Sequence, residues 1–580
     1  MSIRLLLVTG MFVMPAVCSR LVSAQQTTPD LEQTAAAVNA KDVWEPVLLG
    51  PRRGGVVLRA DGTLKTFVSE QVEGDTYRNY SMTSSDGGVT WSGRRFEYEG
   101  PRAFLPLLDR DGEYHLFPMV ARREGEGRTI AVDYFIDIWH LKTRNRGAEW
   151  EAPKAIFEGY VGSINGVAQL SNGRIVLPFA EWLGDRTVGP PVGANVVTCV
   201  YSDDGGDTWR RSPAQLTAPN YTDFNGSGYG ACEPCIIELE DGRIYMLART
   251  DAGRMYESFS DDGVHWQPLR PSEFMGTDAP AGFLRLPDER IVVFWNGCEK
   301  PPRVNGAGVY GGRDALHAAI SDDECNSWRG YREVYRDPTR NESPPRRGDR
   351  GTAYPFPYRA PDGKVIVVTG QGRSNGTLLF DPDWLVETHR EDDFSKGLEG
   401  WSVFKHVGPA QGWWQDRVQG PALIDHRDQP GAKVLHIRRP DDRPGDGAVW
   451  NFPMGRTGDL TMRILVREGF GGAAISLMDR FFNPTDPNGD LEAVYSLPIR
   501  PDGHISLKHA LEPGAWHTLR FQWDLPGRMG VVWVDGAQAV YLEPARPKAR
   551  GVNYVRVRST ADQPDPAGLW LERVSVDVAD

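Results

Sequence analysis

The stretch Tyr201 to Trp209, which reads Y-S-D-D-G-G-D-T-W, is a tight turn that recurs along the chain and decides the fold. The short carboxylate of Asp204 can accept hydrogen bonds from nearby backbone N–H groups, and Gly206 can adopt the left-handed conformation that a tight turn needs. The hydroxyl groups of Ser202 and Thr208 can add hydrogen bonds across the same loop. The stretch therefore predicts a compact turn that leads directly into a strand.

Five copies of this turn follow one another at nearly constant spacing. The copies are imperfect, because asparagine replaces the aspartate in the second, the fourth is one residue shorter, and Cys325 takes the place of a glycine in the fifth. A fixed period of this length is typical of proteins built from repeated structural units. The third positions, with successive gaps of 59, 59, 58 and 61 residues, are Asp86, Asn145, Asp204, Asp262 and Asp323.

A second repeat, interleaved with the first, predicts β-hairpins. Five dipeptides combine Asp or Asn with Gly, which is the strongest short hairpin signal, and a sixth position has Asp-Glu. Each dipeptide is followed by a run of β-forming residues. The six are Asp61-Gly62, Asp111-Gly112, Asn172-Gly173, Asp241-Gly242, Asp288-Glu289 and Asp362-Gly363.

Six hairpins and a unit of about 59 residues predict a six-bladed β-propeller with four strands in each blade. Because each blade buries its faces against its neighbours, the ring has to close. The sixth blade, from Asp362 to about Leu385, lacks the aspartate turn. We expect the segment near Trp44 to complete this blade.

The composition changes after the propeller. The following region loses both repeats but keeps alternating strand patterns, with Asp535-Gly536 as a further hairpin, and it predicts a β-sandwich of the jelly-roll type. Trp413 and Trp414 could stack on a sugar there, although packing is the favoured interpretation. The fold class is therefore all-β. The predicted divisions are a signal peptide at 1–24, a leader at 25–43, the propeller at 44–385, a linker at 386–393 and the sandwich at 394–580.

The N-terminal segment predicts export. A basic residue precedes the apolar run Leu5–Val17, and Val22-Ser-Ala24 fits a cleavage site after Ala24. A lipid anchor on Cys18 is disfavoured, because residues 15–17 match that processing signal poorly. No later run approaches the roughly 20 apolar residues of a membrane span. We therefore expect a secreted or periplasmic protein.

Charge and cysteine content exclude several classes of protein. The net charge of -13, with scattered basic residues, argues against nucleic acid or an anionic membrane as a partner. Five cysteines remain after cleavage, and this odd number excludes a disulfide scaffold. Cys232-Glu-Pro-Cys235 has metal-ligand spacing, but no second Cys or His pair accompanies it. We expect Cys232 and Cys235 to be buried strand residues, with no metal or cofactor.

The turn pattern also selects candidate site residues. Loops at one end of a propeller converge on its axis, so functional side chains should come from several blades at similar places relative to their hairpins. Glu233 and Arg249 flank one hairpin, 16 residues apart, and Arg313 lies just before a strand that enters an aspartate turn. Arg52 and Tyr354 stand ten and nine residues before the glycines of the first and last hairpins.

With these motifs, residues 44–385 resemble the sialidase (neuraminidase) family, secreted six-bladed propellers whose repeated turn is called the Asp box. The most specific similarities are the Glu233 to Arg249 segment, Arg313-x-x-Leu316 in the strand that enters an Asp box, and Tyr354 before the last hairpin. The resemblance implies a retaining exo-α-sialidase that hydrolyses terminal sialic acid from sialylated glycans without a metal. It also implies a concanavalin/laminin-G-like sandwich as the accessory domain.

The resemblance assigns the arginines to the substrate carboxylate. Arg52, Arg249 and Arg313 would hold that group through charge-assisted, partly bidentate hydrogen bonds. Family members usually have Arg-Ile-Pro at the first arginine, whereas this chain has Arg52-Arg53-Gly54. Arg53 is therefore an alternative to Arg52.

The resemblance also assigns the chemical step. Tyr354 would be the nucleophile and Glu233 the base that helps it ionise, because a phenol avoids the repulsion between a carboxylate nucleophile and the substrate carboxylate. Tyr358 is the alternative nucleophile, and Glu233 could instead serve only as an ion-pair partner of an arginine. Asp75 fits the acid that protonates the leaving group, with Glu70 as the alternative. The Asp-box aspartates are expected to be structural.

Two other functions stay open at this stage. One is an enzyme of the same fold that acts on another acidic sugar, since a fold does not determine a substrate. The other is a non-catalytic propeller and sandwich that binds glycans.

Overall fold

The computed structural model describes residues 38–51, 54–127, 130–183, 195–218, 227, 229–299, 312–342, 350–406 and 417–579. The predicted signal peptide, Arg52, Arg53, Trp413 and Trp414 lie outside the described residues. Strands dominate the described part, and its helices are four short 3-10 turns. These are Ala40–Asp42, Gly372–Ser374, Pro382–Val386 and Pro487–Glu492. The predicted all-β class is confirmed.

Residues 47–380 form six antiparallel sheets that follow one another along the chain. The first strand, β1 (Val47–Gly50), joins the last of these sheets. The first sheet contains β2 (Val56–Leu58), β3 (Leu64–Glu73), β4 (Thr76–Ser84) and β5 (Arg95–Gly100). The second contains β6 (Leu107–Leu108), β7 (Tyr114–Leu116), β8 (Met119–Arg123), β9 (Tyr134–Arg144), β10 (Glu149–Trp150) and β11 (Lys154–Phe157). The third contains β12 (Ala168–Gln169), β13 (Ile175–Trp182), β14 (Asn195–Ser202) and β15 (Arg210–Arg211).

The remaining three sheets complete the ring. The fourth contains β16 (Cys232–Glu238), β17 (Ile244–Arg249), β18 (Arg254–Ser260) and β19 (Arg270–Met275). The fifth contains β20 (Gly282–Arg285), β21 (Ile291–Trp295), β22 (Ala315–Ser321) and β23 (Arg329–Arg336). The sixth contains β24 (Phe356–Arg359), β25 (Val365–Thr369) and β26 (Gly376–Phe380), with β1 as its outer strand. These sheets are the blades of the predicted six-bladed propeller.

The first strands of the blades surround the axis of the ring. A cavity of about 280 Å³ lies between them and is lined by Val57, Leu107, Cys235, Phe283 and Phe356, among others. Most of the second strands are buried on both faces, as in the wholly buried run Ile291–Trp295. Such continuous β-branched and aromatic runs fit a sheet that packs between two neighbours.

Both repeated turns occur where they were predicted. Each of the six hairpin dipeptides joins the first and second strands of a blade, and each Asp box follows a third strand. In the third blade Asp204 Oδ1 accepts from the backbone N–H of Thr208 at 2.8 Å and from Ser202 Oγ at 2.8 Å. Gly206 has the expected positive φ of 85°. Burial opposes ionisation of Asp204, but these hydrogen bonds bring its pKa down to about 2.

The second blade replaces the missing Asp-box carboxylate with one from a neighbouring strand. Glu113, just before β7, accepts from Thr143 Oγ1 at 2.7 Å and from the backbone N–H of Arg146 at 2.7 Å. It also accepts from the backbone N–H of Gly147 at 3.2 Å. The turn at Asn145 therefore keeps a carboxylate at its centre, although the sequence there has lost the aspartate.

The C-terminal part is a sandwich of two main sheets, as predicted. The larger sheet contains β27 (His389–Asp392), β31 (Ala422–Asp425), β32 (Lys433–Arg439), β34 (Thr457–Val466), β37 (Trp516–Asp524), β38 (Met529–Val534), β39 (Ala537–Leu542) and β41 (Asp565–Ala579). The smaller sheet contains β28 (Trp401–Ser402), β33 (Gly447–Gly455), β35 (Ala473–Met478), β36 (Tyr495–Ile499) and β40 (Val552–Ser559). A separate hairpin pairs β29 (Phe404–His406) with β30 (Arg417–Gln419).

Large aromatic side chains fill the sandwich and its contact with the propeller. Trp401, Trp450 and Trp523 are buried in the core between the sheets. At the contact, Tyr554 Oη donates to Glu333 Oε1 of the fifth blade at 2.6 Å and lies 2.5 Å from His317 Nε2. The two parts therefore share a buried, hydrogen-bonded boundary. Within the described residues, no helix is long and apolar enough to cross a membrane.

Candidate active site

Strand direction determines which loops meet at the axis. Strands within a blade alternate in direction, so the starts of first strands and the ends of second strands lie at the same end of the ring, here called the upper rim. Glu233 lies near the start of β16, and Tyr354 lies two residues before β24. Arg249 ends β17, and Arg313 lies two residues before β22. The hairpin dipeptides and Asp boxes lie at the opposite, lower rim.

Four of the predicted site residues come together in one contact network. Tyr354 Oη donates to Glu233 Oε1 at 2.9 Å, and Arg249 Nη1 lies 2.5 Å from Glu233 Oε2. The same nitrogen of Arg249 donates to Tyr354 Oη at 3.2 Å. The guanidinium carbon of Arg313 lies 5.7 Å from the centre of the Tyr354 ring. Three blades, separated widely in sequence, supply this network.

The backbone is strained at the two residues that share the phenol proton. Glu233 has a φ of 45° and Tyr354 a φ of 64°, both in the left-handed region that non-glycine residues rarely adopt. The register between β16 and β17 also shifts between Cys232 and Cys235. A bulge of this kind redirects a side chain out of the regular pleat. Here it accompanies the turn of Glu233 towards the axis.

Asp278 is a central member of the site that sequence reasoning missed. Its Oδ1 accepts from Arg249 Nε at 2.5 Å and from the hydroxyl of Tyr229. Its backbone carbonyl accepts from Arg313 Nη2 at 2.8 Å and from Arg313 Nε at 3.2 Å. One residue thus orients both arginines. Asp278 precedes β20, as Tyr354 precedes β24 in the next blade. Its position relative to the hairpin could therefore have selected it as a candidate.

Gln371 is a second residue that the sequence did not single out. It lies two residues after β25, close to the position that Arg249 occupies at the end of β17. Gln371 Oε1 accepts from Arg313 Nη1 at 2.8 Å. Arg313 is therefore held from two sides, by Gln371 and by the carbonyl of Asp278.

Burial controls the electrostatics of the site. Glu233, Arg249, Asp278 and Arg313 expose 6%, 5%, 4% and 6% of their surface, and Tyr354 is half-buried. Burial raises the pKa of Tyr354 well above its ordinary value, and the charge of Glu233 raises it further, while Arg249 and Arg313 act in the opposite direction. Burial acts to lower the pKa of Arg249, but Asp278 and Glu233 raise it well above its ordinary value. The phenol is therefore neutral and the guanidinium charged.

The two candidate acids, Asp75 and Glu70, have different surroundings in the structure. Asp75 lies in the turn between β3 and β4, at the upper rim, with a side chain that is only partly exposed. Partial burial raises the pKa of Asp75, against a backbone hydrogen bond from Ala121 and the charge of Arg123 on the neighbouring blade. Glu70 instead forms an exposed ion pair with Arg94. Neither carboxylate contacts Tyr354 or Glu233 within the described residues.

The second candidate tyrosine and the cysteine pair lie on strands. Tyr358 lies in β24 and lines the axial cavity, whereas Tyr354 precedes that strand at the rim. Cys232 and Cys235 are free cysteines on β16. Among the described residues, no group of three or more His, Cys, Asp or Glu side chains is arranged to hold a metal ion. Arg52 and Arg53 lie outside the described residues, so their positions stay a prediction.

Sequence comparison identifies the repeat. Residues 104–367 match the family model of the BNR repeat-like domain. This match confirms the predicted resemblance at the level of the repeat and the all-β fold. The BNR repeat-like domain contains Glu233, Arg249, Arg313 and Tyr354 together with Asp278. No curated protein matches the chain.

Solved structures similar to the chain include two sialidases. A Trypanosoma rangeli sialidase in complex with 2,3-difluorosialic acid is 14% identical, with 92% of each chain covered and a TM-score of 0.38. The NanB sialidase of Streptococcus pneumoniae is 13% identical, with 60% of this chain and 70% of that chain covered and a TM-score of 0.40. A Dyadobacter fermentans protein of unknown function is 17% identical, with 58% of this chain and 98% of that chain covered and a TM-score of 0.42.

Proposed function

We propose that this protein is a secreted or periplasmic retaining exo-glycosidase that releases a terminal acidic sugar, sialic acid, from glycoconjugates. The observation that carries the proposal is the contact of Tyr354 Oη with Glu233 Oε1 at 2.9 Å, beside two buried arginines. A neutral phenol becomes a nucleophile when an adjacent base accepts its proton. Glu233 is that base.

The two arginines supply the binding step. Each guanidinium carries five N–H donors in a planar fork, which suits a carboxylate. Asp278 and Gln371 hold the forks of Arg249 and Arg313 before any substrate arrives. The resemblance to sialidases adds Arg52 as a third contact. An acidic sugar would therefore bind with its carboxylate at the arginines and its anomeric carbon near Tyr354.

The reaction proceeds in two balanced steps. In the first, Tyr354 Oη attacks the anomeric carbon, its proton passes to Glu233 Oε1, and Asp75 protonates the departing oxygen of the aglycone. In the second, Asp75 removes a proton from water, the water oxygen displaces the tyrosine, and Glu233 returns the proton to the phenolate. Two displacements at one carbon give retention of configuration.

The direct experiment is to incubate the purified protein with a methylumbelliferyl α-sialoside from acidic to neutral pH. Release of the fluorophore is the expected result, with Tyr354→Phe as the inactive control. A folded protein that releases nothing from any sialoside would overturn the sialidase assignment. Release only from glycosides of another acidic sugar would keep the mechanism and change the substrate.

The role of Asp75 can be tested through the leaving group. Asp75→Asn should lower turnover of natural sialosides by about 10²- to 10⁴-fold, because no acid protonates the leaving oxygen. Turnover of an activated aryl sialoside should fall much less, since its leaving group departs without a proton.

Partial burial raises the pKa of Asp75, so the acid form persists to higher pH. In the wild-type protein kcat/KM should fall as the pH rises through the pKa of Asp75. The pH profile of Asp75→Asn should lack this decrease.

Glu70→Gln is the matched control for Asp75. Glu70 forms an exposed ion pair with Arg94 and should tolerate the change. A leaving-group-dependent loss in Glu70→Gln, with normal activity in Asp75→Asn, would assign the acid to Glu70.

A further inference from the structure

A buried ion pair links the sandwich to the residue that follows Arg313. Arg417 of β30 donates through Nη1 to Asp314 Oδ1 at 2.6 Å and through Nη2 to Asp314 Oδ2 at 3.0 Å. The two side chains expose 7% and 5% of their surface. This is the bidentate fork geometry in which both the distance and the orientation of the carboxylate are fixed.

Arg313 and Asp314 are adjacent in the chain, so an anchor on one constrains the other. The backbone carbonyl of Arg313 accepts from the N–H of Thr352 at 2.8 Å, and that of Asp314 accepts from the N–H of Asp337 at 2.8 Å. Gly351 makes the close approach possible, because a Cβ there would lie 2.5 Å from the Cβ of Arg313. The position of the Arg313 backbone therefore depends on where Asp314 is held.

A second route from the same cluster reaches the Arg313 side chain. Arg350 Nη2 lies 3.3 Å from Asp314 Oδ1 and 2.8 Å from Asp337 Oδ2. Asp337 Oδ1 accepts from Ser374 Oγ at 2.7 Å, and Ser374 lies three residues after Gln371. The backbone N–H of Gln371 donates to the carbonyl of Gly351 at 2.9 Å. Gln371 in turn accepts from Arg313.

Arginines outnumber carboxylates in this cluster, because the buried Arg340 also donates to the backbone carbonyl of Asp337. Arg350 and Arg417 face Asp314 and Asp337, and all four side chains are largely buried. Removing Arg417 would take from Asp314 its buried bidentate partner, which is much more costly than losing an exposed pair. The remaining groups would rearrange to recover hydrogen-bond partners. Asp314 would move most, because it has lost the bidentate contact with Arg417.

We infer that Arg417 is a positioning residue for the active site, which acts by holding Asp314 and thereby setting the place of Arg313. The sandwich is then part of the catalytic unit and supplies one of its supports. This inference rests on the proposed role of Arg313 as a ligand of the substrate carboxylate.

The test compares Arg417→Ala and Arg417→Lys in the full chain with Tyr554→Phe. Tyr554 is a matched control, because it also makes a buried polar contact across the boundary but touches Glu333 and His317 instead. KM for a sialoside and Kd for an unsaturated sialic-acid analogue should rise by about 10- to 100-fold in Arg417→Ala, as expected when a binding group is misplaced. Because kcat depends on Tyr354 and Glu233, it should change less. Arg417→Lys, which keeps the charge without the fork, should lie between wild type and Arg417→Ala.

A crystal structure of the variant keeps the inference separate from the proposed function. In Arg417→Ala, or in Arg417→Lys if the alanine variant does not fold, the Arg313 guanidinium should move away from Gln371 and the carbonyl of Asp278. An unmoved Arg313 would overturn the inference, whether or not the protein hydrolyses sialosides. An equal rise in KM for Tyr554→Phe would also overturn it, because the effect would then reflect general loosening of the boundary.

Discussion

Tyr354→Phe should lower kcat for sialoside hydrolysis on the order of 10⁴-fold or more, as the loss of a nucleophile does in other covalent mechanisms. The substitution removes only the phenolic oxygen, which donates to Glu233 and accepts from Arg249. The ring stays beside Arg313, and Asp278 still orients both arginines. The affinity for an acidic sugar should therefore stay close to that of the wild-type protein.

The measurement combines steady-state kinetics with calorimetric titration of an unsaturated sialic-acid analogue. Tyr358→Phe is the control, since Tyr358 is a neighbouring tyrosine on the axis but lines the cavity within β24. Unchanged activity in Tyr354→Phe would place the nucleophile elsewhere. A comparable loss in Tyr358→Phe alone would assign it to Tyr358.

Arg249→Met should abolish binding of the acidic sugar and destabilise the propeller by about 3–5 kcal/mol. Arg249 is the common partner of two buried carboxylates, at 2.5 Å from both Glu233 and Asp278. Methionine fills a similar volume but leaves both carboxylates without their charge partner.

Arg243→Met provides the comparison for Arg249. Arg243 belongs to the same blade and pairs with Asp241, but this ion pair is exposed. Exposed pairs contribute about 0–1 kcal/mol, so the thermal unfolding temperature should barely change. Equal shifts in the two variants would show that the buried network contributes nothing special to stability.

The fold was predictable because its signals are local. Asp204 binds backbone N–H groups within four residues, and Asn172-Gly173 encodes a hairpin without help from the rest of the chain. The positions of Glu233 and Arg249 then follow from their distance to a hairpin. The resemblance to sialidases supplied the roles proposed for them, which position alone does not reveal.

The blade positions of Asp278 and Gln371 could have been selected from the sequence, but the contacts that give these residues their place in the site have no local signature. Asp278 and Gln371 stand in loops without a turn motif, and only tertiary packing brings them to Arg313. Glu113 is a similar case. It lies just before β7, yet its carboxylate takes the place of the aspartate that is missing from the turn at Asn145. Arg417 is more distant in sequence, since it belongs to the sandwich and contacts Asp314 of the fifth blade.

Closure of the ring through β1 determines when the site around Tyr354 can form during synthesis. Val47 pairs with Leu379, so the blade beside Tyr354 stays incomplete until almost two thirds of the chain has left the ribosome. Contacts between residues this distant form slowly, because the intervening chain has to be ordered first. A nascent chain stopped before β26 would carry Glu233 and Arg249 on formed blades. Its sixth blade would be incomplete and would not hold Tyr354 in place. In an unfinished chain the contact between Tyr354 and Glu233 is therefore expected to be absent.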